Sequence, residues 1–525
     1  MKHLLLLTTL FFLSHNLFAQ QELRCSSYEY QQQMMKENPE YAQLMQQSEI
    51  YFENYVRTHK LQKGTRSVIT IPVVVHFLWN PDSTQYYLSD WQISSQIDVL
   101  NEDYRRFNAD KFSTPSLFDS VAADCEIEFC LAKRDTLGNF TTGIERRNTS
   151  IGVMDITAIK HTSSGGLDGW DHNNYLNIWV GRLSTGTLGI TTFPSINMNN
   201  EDGVVCTTKA FGRLSTVSKK YNLGRTATHE VGHWLNVKHI WGDLSGCSTD
   251  DGCDDTPKQD DYHFACETFP FPSCNNTSDM YMNYMDYTPD SCMNIFTFDQ
   301  RERMQDAITA FRSSLLISQG CNSPVTFNND IGVSKILFPD ELIYADSIIP
   351  VVRVMNYGSQ TISSAEIVYE KNWKNEQHTY NWSGSLTPGS YEDVTLPAIK
   401  DSLWYNIFCA WTKNPNGTVD EDTTNDFRTR SYIGEPSKEI TPETVLVYPN
   451  PSGTIFTIEF SNLESVNGTL RVFNVLGQSE YVPVDAISTS KFQIDLSNFA
   501  SAMYFLELTV GGKVVVKKII VQHEL

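Results

Sequence analysis

Basic residues are scarce in this chain of 525 residues, which has 40 Lys and Arg against 62 Asp and Glu. The formal net charge of -22 excludes a general binder of nucleic acids or anionic membranes, because both ligands need a basic surface. The charge is permissive for calcium, and it is equally compatible with an acidic surface that only keeps the chain in solution.

Long apolar runs are absent after the N-terminus. Leu4–Leu13 is an apolar core that follows Lys2 and precedes the small residue Ala19, which predicts a signal peptide over residues 1–19. That core is too short to span a bilayer, and no later stretch is long enough. We therefore expect an exported chain without a transmembrane segment.

Cysteine is plentiful by contrast. Eleven cysteines in an exported chain predict disulfides, and the odd count leaves one thiol over. Five of them lie between residues 247 and 292, where disulfides would hold a loop-rich segment that core burial alone would not stabilise. Cys25 stands apart, near the start of the mature chain.

A His-Glu-x-x-His motif begins at His229. At helical spacing His229 and His233 project from one face, so both imidazoles can bind one zinc ion. Glu230 between them is placed to polarise a water on the metal. His239 reaches the same metal only if the chain turns sharply near Asn236, and three protein ligands with an open fourth position are typical of a catalytic zinc site.

These residues resemble the metzincin signature, in which a third His follows the helix and a Met-turn comes later. Asn236 stands where that pattern has Gly, and Asn is the next most tolerant residue of left-handed backbone angles. Asn283–Tyr287 resembles the Met-turn, with Met285 as the apolar floor. A bare His-Glu-x-x-His can occur by chance, but the third His and the Met-turn argue against chance. The flanks resemble the pappalysin family in particular: Arg225-Thr226-Ala227-Thr228 and His239-Ile240-Trp241-Gly242-Asp243.

The resemblance implies the roles of several further residues. Tyr287 matches the tyrosine that supports the oxyanion in related enzymes, although an aromatic side chain here could simply pack. Asp290 matches an acidic residue at the base of the S1′ pocket, which implies cleavage before Arg or Lys. The alternative is that Asp290 is a solvated turn residue beside Pro289. The disulfides that the resemblance implies are Cys247–Cys274 and Cys266–Cys292.

Residues 250–257 concentrate hard oxygen donors in one turn-rich loop, which is the chemistry of a calcium site. The pappalysin resemblance implies that Asp251, Thr256 and the carbonyl of Asp254 bind the ion. A solvated acidic loop is the alternative.

Residues 20–66 are polar and helical in tendency, and their position predicts a propeptide. Arg24-Cys25 resembles the cysteine switch of pappalysin zymogens, in which a thiolate takes the open zinc position. Cys25 could instead pair with another cysteine, but the odd count favours the switch.

Three domains are predicted after the propeptide. Residues 67–321 form an α/β (α+β) metzincin-like catalytic domain with a twisted sheet and a long zinc-binding helix; its strands are predicted at Ile69–Leu78, Ile127–Lys133 and Tyr175–Val180. Residues 322–433 alternate short strands and turns, which predicts an all-β immunoglobulin-like sandwich with an accessory or spacer role. Residues 434–444 are a linker, and residues 445–525 form an all-β domain.

That last domain resembles the C-terminal sorting domain of type IX secretion substrates, in its Val447-Tyr448-Pro449-Asn450-Pro451 opening and its Lys517–Val521 end. An ordinary small β-domain is the alternative. If the resemblance holds, this region is an export address.

We therefore predict a secreted, calcium-stabilised zinc endopeptidase that is made as a zymogen and cleaves proteins or peptides before Arg or Lys. Its expected partners are those substrates and the secretion machinery, and we expect a monomer. The alternative is an exported adhesin or binding protein on a non-catalytic metzincin scaffold. Glu230 favours the enzyme, because a scaffold that only binds metal does not need this carboxylate.

Overall fold

The structure is a computed structural model that describes residues 23–59, 67–184, 186–213, 220–340, 342–344, 347–372, 376–400, 404–435, 444–460, 468–475, 479–480, 484–488, 491–510 and 513–523. The predicted signal peptide lies outside these residues, and so does most of the predicted linker. Among the described helices, none combines the length and the apolar character that a membrane crossing requires.

The chain divides into two compact units. The first comprises Met1–Glu341, Pro350–Pro397 and Ile407–Tyr432. The second comprises Leu342–Ile349, Ala398–Asn406 and Ile433–Leu525. The first unit therefore contains the catalytic region together with most of the predicted sandwich.

A seven-stranded sheet forms the framework of the catalytic region. Its order is β1-β6-β7-β5-β2-β3. Strand β3 pairs with the first half of the long strand β2, and β4 pairs with its second half. All pairs are parallel except β6 with β7. The strands are β1 (Leu23–Cys25), β2 (Ile69–Trp79), β3 (Ile127–Leu131), β4 (Ile144–Asn148), β5 (Leu176–Gly181), β6 (Thr187–Thr191) and β7 (Gly203–Thr207).

Both faces of this sheet are covered. Strand β2 is buried along almost its whole length, as its largely apolar run predicts, because a strand covered on both faces needs no polar side. The core on one face includes residues from helices α3, α5 and α6. The helices of the chain are α1 (Ser27–Glu37), α2 (Pro39–His59), α3 (Asp90–Tyr104), α4 (Ser116–Asp119), α5 (Arg225–Trp234) and α6 (Phe298–Phe311).

The predicted propeptide contributes the edge of the sheet. Strand β1 pairs in parallel with β6, with Leu23 opposite Thr187 and Cys25 opposite Gly189. Helices α1 and α2 follow, and Phe52 of α2 is buried and stacks on Phe311 of α6. The described part of the propeptide is thus packed onto the catalytic region.

The described residues of the sandwich region form ten strands. In the first unit β8, β11 and β14 form one sheet, and β13, β12, β16 and β17 run side by side in another. In the second unit β9 pairs with the end of β17, and β10 pairs with β15. The strands are β8 (Ile331–Phe338), β9 (Leu342–Tyr344), β10 (Ser347–Ile348), β11 (Val351–Asn356), β12 (Ile362–Lys371), β13 (His378–Leu386), β14 (Tyr391–Thr395), β15 (Ile399–Lys400), β16 (Trp404–Lys413) and β17 (Phe427–Glu435).

Within the first unit the sandwich contacts the catalytic region directly. Trp91 at the start of α3 stacks on Phe427, with ring centroids 5.1 Å apart, and packs against Trp411 at 4.4 Å. Lys133 forms an ion pair with Asp422 at 2.7 Å. These contacts join the sandwich to the catalytic region, and its accessory or spacer role stays a prediction.

The C-terminal region is a smaller β-sandwich in the second unit. Its two four-stranded sheets have the orders β18-β19-β23-β22 and β21-β20-β24-β25 and share one apolar core. The strands are β18 (Val445–Tyr448), β19 (Ile455–Phe460), β20 (Gly468–Asn474), β21 (Ser479–Glu480), β22 (Val484–Ser488), β23 (Lys491–Asp495), β24 (Ala502–Val510) and β25 (Lys513–Val521).

Candidate metal centre

Helix α5 presents His229 and His233 on one face and then ends abruptly. Asn236 has φ +69°, so the turn uses the left-handed conformation expected of Gly or Asn at this position. The Val237 N–H donates to the Gly232 carbonyl at 2.9 Å, which closes the helix end in a Schellman motif. The chain then returns toward the helix and brings His239 to the other two histidines.

The three imidazoles converge through their Nε2 atoms. The distances are 3.1 Å between His229 and His233, 3.2 Å between His229 and His239, and 3.0 Å between His233 and His239. All three residues are buried, and burial lowers the pKa of His229 and His233 well below the ordinary value. Neutral rings pointing free nitrogens at one spot can bind a metal ion.

Each ring is oriented by an acceptor at its other nitrogen. His229 Nδ1 donates to the Tyr284 carbonyl and His233 Nδ1 to the Val237 carbonyl, both at 2.7 Å. His239 Nδ1 donates to the Asp243 carboxylate. Since Nδ1 of each ring is hydrogen-bonded to one of these acceptors, Nε2 is the nitrogen that each ring turns toward the candidate metal position. The sequence motif does not reveal these acceptors.

The predicted floor residue lies beneath the helix. Met285 is fully buried, and a Cβ at Gly232 would lie 2.5 Å from its sulfur. Gly232 therefore allows α5 and the Met-turn to approach closely.

Glu230 lies beside the histidines in a fully buried position, and burial raises its pKa to about 7. Its Oε2 accepts a hydrogen bond from Ser27 Oγ at 2.9 Å, and its Oε1 has no partner among the described residues. A Cβ at Gly189 in β6 would lie 2.6 Å from Oε1, so this glycine makes room for the carboxylate. Sequence reasoning did not identify Ser27, Gly189 or Gly232.

Cys25 joins the histidine cluster. Its Sγ and one ring nitrogen of each of His229, His233 and His239 lie within 4.8 Å of one another. Cys25 is buried and forms no disulfide, so the alternative of a paired cysteine does not hold. Tyr287 is also buried, and its hydroxyl donates to the Cys25 carbonyl at 3.1 Å.

Arg24, the neighbour of Cys25 in the predicted propeptide, reaches Asp290. Arg24 Nη2 donates to Asp290 Oδ1 at 2.7 Å, and both side chains are fully buried. Asp290 Oδ2 accepts the Leu223 N–H at 2.9 Å. Asp290 is therefore not the solvated turn residue of the alternative interpretation.

Disulfides join the two cysteine pairs that the resemblance implies, Cys247–Cys274 and Cys266–Cys292, and also Cys130–Cys321. The expectation that the odd count leaves a single thiol is wrong. Five cysteines are free and buried: Cys25, Cys125, Cys206, Cys253 and Cys409.

The acidic loop is partly internal. Asp251 is fully buried, accepts a hydrogen bond from Thr256 Oγ1 at 2.7 Å, and has its pKa raised by burial to about 7. Asp254 is exposed, and its N–H donates to Asp299 at 3.0 Å. Two of the three predicted calcium ligands thus lie together, and the buried Asp251 excludes a wholly solvated loop.

Comparison with known proteins agrees with this geometry. The family model for pregnancy-associated plasma protein-A matches residues 164–309. An extracellular metalloprotease of Arthroderma otae is 37% identical over 252 residues, which are 47% of this chain and 80% of the relative. An extracellular metalloprotease of Arthroderma benhamiae is 28% identical over 248 residues, which are 47% of this chain and 79% of the relative. The chain belongs to the pappalysin family.

The pappalysin assignment also agrees with a solved structure. Promirolysin of Tannerella forsythia, solved as a mutant, is 43% identical to this chain. The match covers 56% of this chain and 97% of the promirolysin chain, with a TM-score of 0.51. The model of a secretion system C-terminal sorting domain matches residues 446–522. This protein is thus a secreted, metzincin-type metalloprotease with a type IX sorting domain, and the alternative of a non-catalytic binding protein is set aside.

Proposed function

We propose that this pappalysin is a zinc endopeptidase that cleaves before Arg or Lys and is held latent by its propeptide. The observation that carries the proposal is the pair Arg24–Asp290 directly beside the cluster of Cys25 with the three histidines. Strand β1 thus offers the Cys25 thiol to the candidate metal position and the Arg24 guanidinium to Asp290.

The residues present fit zinc. Three imidazoles whose Nε2 atoms converge are a ligand set that suits this ion, and they would leave a fourth position for substrate or water. Zinc held by His229, His233 and His239 supplies a Lewis acid that polarises a peptide carbonyl and acidifies water. Cys25, whose Sγ lies with the three imidazoles, would be the fourth residue to hold the ion in the latent protein.

Glu230 acts as the general base and then as the general acid. With the propeptide removed, Ser27 no longer occupies Oε2, and the carboxylate is free to take a proton from the attacking water. It then returns that proton to the leaving amine. A pKa of about 7, raised by burial, suits a group that accepts and releases a proton near neutrality.

Tyr287 supports the developing oxyanion. Its hydroxyl already donates to a backbone carbonyl, that of Cys25, at 3.1 Å. The same donation to the scissile carbonyl of a substrate becomes stronger as negative charge develops on that oxygen.

Asp290 selects the residue after the scissile bond. A buried carboxylate without a cationic partner is costly, and Arg24 shows that a guanidinium fits against it. When the propeptide leaves, a substrate Arg or Lys restores the pairing. Apolar residues leave the carboxylate unpaired and are disfavoured.

A calcium ion bound by Asp251, Thr256 and the Asp254 carbonyl would stabilise the segment that carries the disulfides. Hard oxygen donors suit this ion, and the buried Asp251 carboxylate gains a compensating charge.

The test uses the activated full chain and matched peptides that differ only at the residue after one bond: Arg, Lys, Leu or Glu. We expect cleavage before Arg and Lys, loss of cleavage after zinc is chelated, and a fall in kcat of about 10³-fold in Glu230→Gln. Asp290→Asn should lose most of the preference for Arg over Leu. Equal cleavage of all four peptides would reject the specificity, and an active Glu230→Gln would reject the mechanism.

A further inference from the structure

One buried histidine, His263, contacts the outer side of the Met-turn and has no role in the mechanism above. Its backbone N–H donates to Asp286 Oδ1 at 2.8 Å, and its Nδ1 donates to Asp286 Oδ2 at 2.8 Å. Its Nε2 lies 3.4 Å from Asp279 Oδ2. The ring is therefore held between two carboxylates, both of them buried.

This arrangement requires a charged ring. Both nitrogens face carboxylate oxygens, which only accept hydrogen bonds, so both nitrogens carry protons. Burial opposes the charge, but the hydrogen bonds to Asp279 and Asp286 outweigh it and raise the pKa of His263 to about 10. Gln259, which also donates to Asp286, is neutral. An imidazolium has no lone pair to offer, so His263 is not a metal ligand.

Asp286 transmits this contact to Tyr287. The same oxygen that accepts the His263 N–H, Asp286 Oδ1, also accepts the Tyr287 N–H at 2.6 Å. The orientation of the Asp286 carboxylate thus sets the backbone from which the Tyr287 ring projects.

The residues before and after His263 pack against the Tyr287 ring. Tyr262 lies with its ring centroid 5.2 Å from that of Tyr287, and Phe264 lies at 6.2 Å. The segment 262–264 therefore contacts Tyr287 at both its backbone, through Asp286, and its side chain. Cys266 ties this segment to Cys292 just after the Met-turn.

We propose that His263 is a positioning residue for Tyr287, which it acts on through Asp286. The inference rests on the role proposed above for Tyr287 in supporting the oxyanion. His263 holds the Asp286 carboxylate in one orientation, and that orientation fixes where the tyrosine hydroxyl can reach. Its contribution therefore appears in the chemical step rather than in substrate binding.

The test is a double-mutant cycle in the activated full chain with zinc bound, using the Arg peptide. The variants are His263→Gln, Tyr287→Phe and the double variant. We expect His263→Gln to lower kcat about tenfold with KM changed less than about twofold, as for loss of a group that orients a catalytic residue. In the Tyr287→Phe background the same substitution should lower kcat less than about twofold, because the hydroxyl that it positions is gone.

A control variant, His161→Gln, removes a partly exposed His–carboxylate pair with Glu201 and should keep wild-type kcat. If His263→Gln does not fold, Asp286→Asn replaces it in the cycle. An amide oxygen in place of Oδ1 still accepts the backbone N–H groups of His263 and Tyr287, whereas the amide NH2 in place of Oδ2 cannot accept from His263 Nδ1.

Additive losses of kcat in the two backgrounds would overturn the proposal, and so would a fall in thermal stability with unchanged kcat. Full activity of Tyr287→Phe would overturn both this inference and the role of Tyr287. An activated wild-type chain that cleaves none of the peptides would instead reject the proposed function.

Discussion

At the scale of single residues, three side chains near the start of the described chain each occupy a different part of the site. Arg24 pairs with Asp290, Cys25 lies in the histidine cluster, and Ser27 donates to Glu230. Ser27 Oγ also accepts the Thr191 N–H at 2.8 Å, so it covers a backbone donor at the end of β6. In the proposed zymogen, this N-terminal segment therefore covers the specificity residue, the candidate metal position and the general base together.

This arrangement predicts that latency depends on each contact. Cys25→Ala should activate far sooner than wild type, because the fourth metal position opens. Ser27→Ala should shorten the latent period about tenfold, since a hydrogen bond to a charged group contributes about 1.5–3 kcal/mol. Ser26→Ala is the matched control. The measurement is the time course of propeptide removal on gels, and equal rates for Ser26→Ala and Ser27→Ala would contradict the role of Ser27.

His263 predicts a pH dependence of stability. Its pKa is raised to about 10 in the folded chain, against an ordinary value of about 6.5 in the unfolded chain. Its stabilising contribution is therefore complete below pH ~6.5 and is lost as the pH rises through about 10. The difference in Tm between the latent wild type and His263→Gln should be largest at pH 6 and shrink by pH 10. A constant difference would show that the ring is neutral.

At the scale of elements, the crossing of β6 and α5 determines where the general base lies. Gly189 is the contact point of this crossing, since a side chain there would meet Glu230, and Gly232 is the contact point of α5 with the Met-turn, since a side chain there would meet Met285. Helix α5 therefore lies closer to β6 and to the Met-turn than a larger residue at either glycine would allow.

Gly189→Ala should consequently lower kcat about a hundredfold, because its Cβ would displace the Glu230 carboxylate from a position that catalysis requires. Tm should fall only slightly. Gly152→Ala is the control, since a Cβ there meets nothing within 4 Å. The measurement is kcat for the Arg peptide beside a thermal melt, and wild-type kcat in Gly189→Ala would contradict this account of the crossing.

At the scale of the whole molecule, the first unit joins the catalytic region to most of the sandwich. Besides the Trp91 and Lys133 contacts, the Thr429 hydroxyl donates to Asp98 at 2.7 Å and accepts from Arg213 at 2.8 Å. A shared interface of this kind predicts that the two parts unfold together.

The expected monomer and the predicted domain boundaries stay predictions.

Trp411→Ala should therefore lower the temperature at which protease activity is lost, although Trp411 lies in the sandwich. Truncation of a buried Trp costs about 3–5 kcal/mol. Calorimetry should show the first unit of the activated full chain unfolding at a lower temperature than in the wild type. Residual activity assayed after heating should be lost over the same transition. Unchanged thermal inactivation would show that the sandwich is an independent spacer.

Sequence reasoning succeeded where the determinant is local. The i, i+4 spacing places His229 and His233 on one helical face, and the tolerance of Asn236 for positive φ predicts the turn that returns His239. The apolar run of β2 indicates a strand buried on both faces. Periods and turn preferences depend on near neighbours along the chain, so one sequence is enough to reveal them.

Tertiary structure decided which distant residues meet. Ser27 and Glu230 are 203 residues apart, and Arg24 and Asp290 are 266 apart. No local pattern marks the parallel register of β1 on β6 that brings them together, or the glycines that permit the approach. The chemistry available to this protein was therefore determined by its sequence motifs. The folded packing decided that the chain's own N-terminal strand occupies the site, because such contacts depend on three-dimensional geometry rather than on spacing.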